Sequence, residues 1–413
     1  MIATSENWKE YRREGDTFHI KATMYSSDSQ TIELGDSDFM MGTVSFTDAM
    51  SGLYEIDFGS VDTNSFNATL NNFDGKFDDW KWDSIFVWFG IESSATPAIA
   101  GYAISGVSIV GEDTGTVGEW IPRGFYYIDR PKTTGNTIKI ECYDTMDKLN
   151  KAFAGLNATL TYPIQSNDLI ESICSYCGVD HVDNEFSDFT VDEFEIDDTI
   201  SCRQVLYWIL ETLGGYGRMG ESLADTTLFV SKWNIGEWGH SDSLDGGTLA
   251  WGDGDNFDGG AFDVWDEVTD VDGGLYYEGQ QPYEIDKLTS RLISLDDVEI
   301  TGVRAFSHDG TVNDMDGTDG YIVTIRDNPL VDENNTSSVA SRAWGNVEGL
   351  KVRPFEATIF GDPSMEAGDV VIISDDRGNH HKSVITSLEY ALNGSTRVGC
   401  YALTAEENFN ANQ

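Results

Sequence analysis

Cys174 and Cys177, spaced Cys-x-x-Cys, are the pair in this chain best placed to do chemistry. A tetrahedral zinc site needs a second pair of ligands at compatible spacing, and none follows. A thioredoxin-type pair opens a helix after a strand. Here the two sulfurs fall at the C-terminal end of a helical stretch, on the side that Leu169, Ile170 and Ile173 make apolar. Reduced, metal-free packing in a core is the expectation for both. Gly215-x-Gly217-x-x-Gly220 spells the dinucleotide-binding motif. That motif works only between a strand and a helix, whereas a helix precedes this copy, so a flexible turn is expected.

The six histidines are His19, His181, His240, His308, His380 and His381. They form no His-Glu-x-x-His, and no Gly-x-Ser-x-Gly elbow occurs. His380 and His381 follow Asp375-Asp376-Arg377-Gly378-Asn379, which suggests a solvated hairpin tip. Asp253-Gly254-Asp255-Asn256-Phe257-Asp258 resembles the start of a calcium loop but lacks the full oxygen spacing and the late Glu. Carboxylates are so numerous that none is singled out as a glycosidase pair. No catalytic, cofactor-binding or metal-ligating residue is assigned, and the chain is not read as an enzyme.

The elements around these residues are mainly β with a small α+β insertion. Phe18–Ala22, Gly52–Phe58, Ser65–Leu70, Ile85–Phe89, Gly124–Ile128 and Asn136–Cys142 carry alternating or β-forming residues between Gly, Asp and Asn clusters. Asp74-Gly75 marks a turn. Short strands at this density predict a barrel or sandwich. Asp144–Leu149 reads as one helical turn, and Asp168–Cys177 as a helix with Ser166, Asn167 and Asp168 as caps and Gly178 as its stop. Ser201 with Gln204 forms a capping box before Val205, Leu206, Ile209 and Leu213, ending at Gly214-Gly215. Leu228-Phe229-Val230 follows as a strand. Asp245-Gly246-Gly247, Asp258-Gly259-Gly260 and Asp272-Gly273-Gly274 recur as three copies of a short turn unit, expected to project from the molecule. Strands resume at Val298–Phe306 and Tyr321–Ile325. A helix is expected over Ser337–Leu350 with Val339, Ala343 and Val347 inward, then strands at Val370–Ile373 and Lys382–Tyr390.

Charge excludes several partners. Lys and Arg total 25 against 72 Asp and Glu, a balance of −47. Binding of a free-standing protein to DNA needs cations for the phosphates, and anionic membranes repel such a surface equally. Five scattered cysteines are no disulfide framework. The start, Met1-Ile2-Ala3-Thr4-Ser5, has no secretory pattern, and the longest apolar run, Ile85–Ile91, is too short to span a bilayer.

Two stretches carry a resemblance. One is Gly124-Phe125-Tyr126-Tyr127-Ile128-Asp129 followed by Ile138-Lys139-Ile140-Glu141-Cys142-Tyr143-Asp144-Thr145-Met146-Asp147-Lys148-Leu149. The other is Asn328-Pro329-Leu330 with Ala357-Thr358-Ile359-Phe360-Gly361-Asp362-Pro363-Ser364-Met365-Glu366-Ala367-Gly368-Asp369-Val370-Val371. Together they resemble the tail-hub family of tailed phages, also called baseplate hub or N-terminal tail-associated lysin domain. The segment Ser201–Leu206 with Gly214-Gly215 and Leu228-Phe229-Val230 resembles that family's inserted helical domain.

The resemblance implies two related β-barrel tube domains in a ring-forming homotrimer at the virion's tail tip, made in the bacterial host cytoplasm. The barrels would be 1–160 and 290–413, the latter with one helix. Between them would lie a helical α+β insertion at 161–238 and the Asp-Gly-Gly insertion at 239–289. The implied partners are a distal tail or tail tube protein, the tape measure protein and a tail-tip spike or fibre protein. DNA would pass the lumen without specific binding, and an acidic bore is expected to repel it. The resemblance implies no cofactor. Many members continue into a peptidase or spike, for which this sequence has no counterpart, so no lysin activity is carried over. Two other readings fit the composition. One is a carbohydrate-binding tail or surface protein using Trp80, Trp82, Trp88, Trp238, Trp251 and Trp265. The other is a calcium-dependent extracellular β-protein.

Overall fold

The computed structural model describes residues 17–51, 56–91, 118–182, 186–220, 227–233, 283–285, 288–375 and 377–403, with isolated positions near both ends, among them Ile2, Ser5, Trp8 and Asn408. Eight strands come first: β1 (His19–Ser26), β2 (Thr31–Leu34), β3 (Ser45–Ala49), β4 (Ser65–Asn71), β5 (Trp82–Ile91), β6 (Glu119–Ile128), β7 (Lys132–Thr134) and β8 (Thr137–Tyr143). The middle alternates: α1 (Ala154–Asn157), β9 (Ile164–Gln165), α2 (Ser166–Cys177), β10 (Asp180–His181), β11 (Thr190–Val191), α3 (Cys202–Leu213), β12 (Gly215–Met219) and β13 (Thr227–Lys232). Then follow β14 (Tyr283–Ile285), β15 (Leu288–Ile293), β16 (Val298–Phe306), β17 (Asn313–Gly317), β18 (Tyr321–Ile325) and α4 (Thr336–Val347). The last strands are β19 (Lys351–Val352), β20 (Phe355–Phe360), β21 (Val370–Ser374), β22 (His380–Val384), β23 (Ser387–Ala391) and β24 (Ser395–Cys400).

Twelve of these strands form one antiparallel sheet in the order β15-β20-β24-β23-β3-β4-β8-β6-β5-β1-β2, with β7 also on β8. The two terminal segments are therefore not separate barrels. They meet where β23 pairs with β3, Glu389 opposite Thr47 and Tyr390 opposite Phe46. No sheet among the described residues closes into a barrel, which corrects the expectation of two barrel domains. Alternation along a strand specifies which side is buried, and it says nothing of which strand lies alongside. Closure would need β2 to meet β15, and these lie at opposite ends of the path.

Period-2 alternation builds the apolar face. Phe66, Ala68 and Leu70 of β4 are buried while Ser65, Asn67, Thr69 and Asn71 face outward. On β8, Ile138, Ile140 and Cys142 are buried against Lys139, Glu141 and Tyr143. The core under the sheet includes Phe46, Phe89 and Tyr390, with Phe46 stacked on Tyr390 at 4.7 Å between ring centroids. It continues into α4 through Val339, Ala340, Ala343 and Val347.

A second core fills the middle segment. Leu169, Ile170, Ile173 and Cys174 of α2 meet Val205, Leu206, Ile209 and Leu213 of α3. Both helices stop at glycine in the left-handed region, Gly178 at φ 70° and Gly214 at φ 64°, where a side chain would be strained. The Ser201 hydroxyl accepts from the Gln204 amide as the capping box predicts. Gln165 stands at the N-cap of α2, and Ser166 instead bonds Asp188.

Three local expectations change. Gly215 and Gly217 are not in a flexible turn but lie on buried β12, paired with β13 in a three-stranded sheet. A Cβ at Gly217 would meet Val61 at 2.9 Å and Leu210 at 3.2 Å, so the glycine serves close packing. The single strand expected over Lys382–Tyr390 is two, β22 and β23, and a further strand, β24, follows. Within the span expected as a strand at Gly52–Phe58, the described residues Ile56–Phe58 are not in a strand. The Asp-Gly-Gly units, the Asp253–Asp258 loop, His240 and Trp238, Trp251 and Trp265 lie outside the described residues.

Candidate assembly face and the junction that holds it

The outward face of the large sheet can be followed by register from one edge to the other. Ser290 pairs with Thr358, Thr358 with Arg397, Arg397 with Glu389, Glu389 with Thr47 and Thr47 with Ser65. Ser65 then pairs with Tyr143, Tyr143 with Tyr127, Tyr127 with Ser84, Ser84 with Tyr25 and Tyr25 with Thr31. Directly opposed residues share a face, so this row of hydroxyls, with one Arg–Glu pair and with Ser84 buried beneath its neighbours, crosses eleven strands. A parallel row runs Ala391, Ser45, Asn67, Glu141.

The charges on this face are balanced. Register places Glu33, Glu141, Glu356 and Glu389 on it, against Lys21, Lys132, Lys139 and Arg397. Several are mutually paired: Arg397 reaches Glu356 at 2.8 Å and Glu389 at 3.5 Å, and Lys139 reaches Glu141 at 2.7 Å. At the β1–β5–β6 end the face becomes aromatic. Phe86 meets Trp88 edge-on at 4.1 Å between centroids, and Lys21 sits 4.5 Å over Trp120. Trp80 and Trp82 are half-buried against the core.

The two ends of the sheet are open among the described residues: β2 pairs only with β1, and β15 only with β20. Leu292 on β15 and Leu295 just beyond it are 71% and 93% exposed. An exposed strand edge with apolar neighbours invites pairing with another chain.

Behind the sheet a buried ionic junction fixes three segments to one another. Asp48 of β3 meets Arg123 of β6 at 3.4 Å and Arg218 of β12 at 3.8 Å. Arg218 also reaches Glu366 at 3.6 Å and donates to the Ala367 carbonyl at 2.8 Å. The Ala367 amide returns a bond to Asp48 at 2.9 Å. All four charged side chains are at least nine-tenths buried. The Arg123 guanidinium lies 4.1 Å over the Phe46 ring. Sequence reading did not find this junction. Its members, Asp48, Arg123, Arg218 and Glu366, are far apart in a chain with 72 acids, and nothing in their spacing marks them as neighbours.

A second tie joins α3 to the C-terminal segment. Asn328 donates to the Trp208 carbonyl at 2.9 Å and to Glu211 at 2.8 Å. Burial pushes the Glu211 carboxyl up to about 8, the Asp57 and Asp327 charges push the same way, and the Asn328 bond opposes them. Glu211 is therefore largely neutral in the folded chain at pH 7. A carboxyl raised on folding contributes stability that is fully present below its unfolded pKa, about 4.3, and is lost as pH rises through about 8. Glu211→Gln keeps an acceptor for Asn328 and removes the titration. Its melting temperature is expected to come close to the parent's at pH 4 and to exceed it at pH 9, by an amount worth a few kcal/mol. An equal gap at both pH values would refute this assignment. Asp144, also raised to about 8 by burial, keeps part of the pH slope in both proteins.

The candidates from sequence do not converge. Cys174 is buried in the core of the middle segment, whereas Cys177, expected beside it, is only half-buried. His380 and His381 open β22 beside a tight turn, His380 2.9 Å from Ser374 and His381 3.5 Å from Asp375. Among the described residues no group of three His, Cys, Asp or Glu is placed to hold a metal, and no helix is long and apolar enough to cross a membrane.

The chain is thus a mostly β, multi-sheet protein whose most extensive feature is a polar sheet face. No protein-family model matches it. No curated protein matches it either. Solved structures with a similar chain path include a 43 kDa tail protein of prophage MuSo2 from Shewanella oneidensis, at 9% identity and TM-score 0.43, covering 92% of this chain and 97% of that one. A tail protein from Neisseria meningitidis MC58 is similar at 10% identity and TM-score 0.48, covering 93% and 95%. Prophage tail protein gp18 from Listeria monocytogenes EGD-e is similar at 10% identity and TM-score 0.46, covering 95% and 97%.

Proposed function

We propose that the chain is a structural, non-enzymatic tail hub protein of a bacteriophage or phage-derived particle. In this reading three copies close into a ring that continues the tail tube at the tip, and tape measure protein and then DNA pass through it. The observation that carries the reading is the large sheet: both terminal segments share it, one face is polar, and among the described residues each end is an unpaired edge. A β2 edge of one copy against the β15 edge of the next is a head-to-tail contact, and such contacts generate rings when the rotation closes. The division into 1–160, 161–238, 239–289 and 290–413 is kept as part of the proposal. The tube segments are then halves of one sheet, with the middle segment outside it. Its neighbours would be a distal tail or tail tube protein, the tape measure protein and a spike or fibre protein, in the virion's tail tip.

The polar face is the candidate wall of the bore, and its balance revises the expected acidic lining. Among the described residues the face carries hydroxyls and as many carboxylates as cations, several of them paired, so a duplex meets no cationic excess and gains little from counterion release. The acidic excess of the chain lies elsewhere than on these strands.

Sedimentation is the direct test: the native mass is expected at three times the 45.6 kDa chain. The double variant Leu292→Lys/Leu295→Lys puts charge on the β15 edge and is expected to give a folded monomer, because like charges and lost apolar contact block edge pairing. A parent that sediments as a monomer at micromolar concentration, or a double variant that keeps the parent's oligomeric mass, would count against the ring.

A further inference from the structure

Beside the large sheet, β17, β16 and β18 form a smaller one in that order, with β19 also on β16. One side of it is covered. Val303, Ala305 and Ile325 are buried in the core that includes Val339, Ala340 and Ala343 of α4. Asp314 of β17 accepts from the Thr336 hydroxyl of the same helix. Register sets the other side. Met315 stands opposite Arg304 and Arg304 opposite Thr324, and two residues on Asn313 stands opposite Phe306. Arg326, the residue after β18, puts its guanidinium 4.3 Å over the Phe306 ring. These rows hold two arginines and no carboxylate.

That is unusual in a chain with 72 acids and 25 bases. Arg12, Arg123, Arg218, Arg353 and Arg397 each meet a carboxylate. Among the described residues Arg304 and Arg326 have none within ion-pair distance. The Arg304 Nη2 instead approaches the Met315 sulfur at 3.6 Å, a weak acceptor. Arg326 is stacked, and a stacked guanidinium keeps its in-plane N–H donors for another partner. Arg326 is exposed, while Arg304, Phe306 and Met315 are half-buried.

We propose that this face docks an acidic, extended segment of another protein, with Arg304 and Arg326 each taking one of two carboxylates at alternate positions. Charge complementarity selects the partner, because a guanidinium binds a carboxylate through two parallel N–H bonds. The spacing agrees. Arg304 opposes Thr324, so Arg326 is its diagonal neighbour, at about 7–8 Å. Residues i and i+2 of a strand are roughly 7 Å apart. Phe306 and Met315 supply apolar contact beside the two charges. Addition of a strand at the β18 edge is disfavoured, since Asn408 already holds Ile322 there: its side chain accepts from the Ile322 amide at 2.9 Å and donates to the Ile322 carbonyl at 2.8 Å. The segment therefore lies across the face and is recognised by side chains. Nucleic acid fits less well. Its affinity grows with the number of phosphates neutralised, and two arginines on a chain of net charge −47 neutralise few.

The probe is a short fluorescein-labelled peptide of alternating Thr and Glu, titrated with the full chain and read by fluorescence anisotropy. Saturable binding is expected, weakened about tenfold or more when every Glu of the peptide is replaced by Gln, because charge-assisted hydrogen bonds are lost. Arg326→Gln, a change at an exposed position, is expected to weaken binding of the Glu peptide to a similar degree. A melting temperature close to the parent's separates lost binding from lost folding. No saturable binding up to millimolar chain, equal binding of the Gln peptide, or full affinity in Arg326→Gln would each overturn the proposal. So would tighter binding of a thymidine oligonucleotide of the same charge, or a self-association of the parent that Arg326→Gln abolishes, which would give the face to a second copy. The inference is independent of the tail reading, since a monomeric chain that binds the peptide upholds it.

Discussion

Asp48→Ala is expected to cost about 3–5 kcal/mol of folding stability, because it removes one side of a buried ion cluster and leaves the other side charged. Asp48 stands between Arg123 and Arg218, and its Oδ2 also accepts from the Ala367 amide. Arginine does not deprotonate to relieve the loss. After substitution Arg218 retains Glu366 and the Ala367 carbonyl, while Arg123 faces the vacated space beside the Phe46 ring. The damage should spread, since the cluster ties β3, β6, β12 and the 361–369 loop. Urea unfolding with the midpoint and slope both recorded is the measurement. The exposed pair Arg397–Glu356 supplies the contrast: Arg397→Ala removes a shorter interaction, 2.8 Å, at a site 54% exposed, where water and salt take over. If the two variants lose similar stability, burial is not what gives the Asp48 cluster its weight.

Gly59→Ala is the second large effect, expected at about 2–5 kcal/mol when left-handed strain and overpacking combine. Gly59 has φ +87°, and an added Cβ would stand 2.5 Å from the Tyr207 carbonyl and 2.9 Å from the Glu211 amide. Both are backbone of α3, which cannot rotate aside as a side chain would. Gly59 also donates to the Gly215 carbonyl at 2.6 Å, and Ser60 accepts from Gly217 at 2.8 Å, so the loop is pinned to β12 while it presses on the helix. Gly135 provides the control. It too has positive φ, +58°, but open space surrounds its Cβ position, so Gly135→Ala reports strain alone. A Gly59→Ala loss no greater than that of Gly135→Ala would mean the contact with α3 relaxes freely.

Much of the local structure was legible. The alternation Phe66, Ala68, Leu70 against Asn67 and Thr69 marked β4 and its buried side. Ser201 and Gln204 set the start of α3, and Gly214 its end, because an orphan amide and a left-handed stop are satisfied by residues close in sequence. Gly178 ended α2 in the same way, and the spacing of Val339, Ala343 and Val347 located α4. Where a strand's neighbour is remote, the signal fails. β23 was merged with β22, since Ile385 and Thr386 between them carry no turn residue. The pairing of β23 with β3, more than three hundred residues away, left no trace in either segment.

The candidate site divides along the same line. Its composition was readable as strands with a polar side, and the absence of a recognisable catalytic motif was readable too. The charge balance of the sheet face was not, because a total of −47 does not state where each acid lies. Nor was the difference between the two helical cysteines: helical spacing sends both toward the core, but Cys174 is buried in it and Cys177 is only half-buried. The sequence by itself determined the elements, their ends and their buried sides, because those depend on backbone torsions and on side-chain period over a few residues. Only the tertiary structure decided that two distant segments share one open sheet and that Asp48 meets Arg123, Arg218 and Ala367. Those contacts depend on long-range packing, which many alternating strands of similar composition could satisfy equally well one pair at a time and only one arrangement satisfies together.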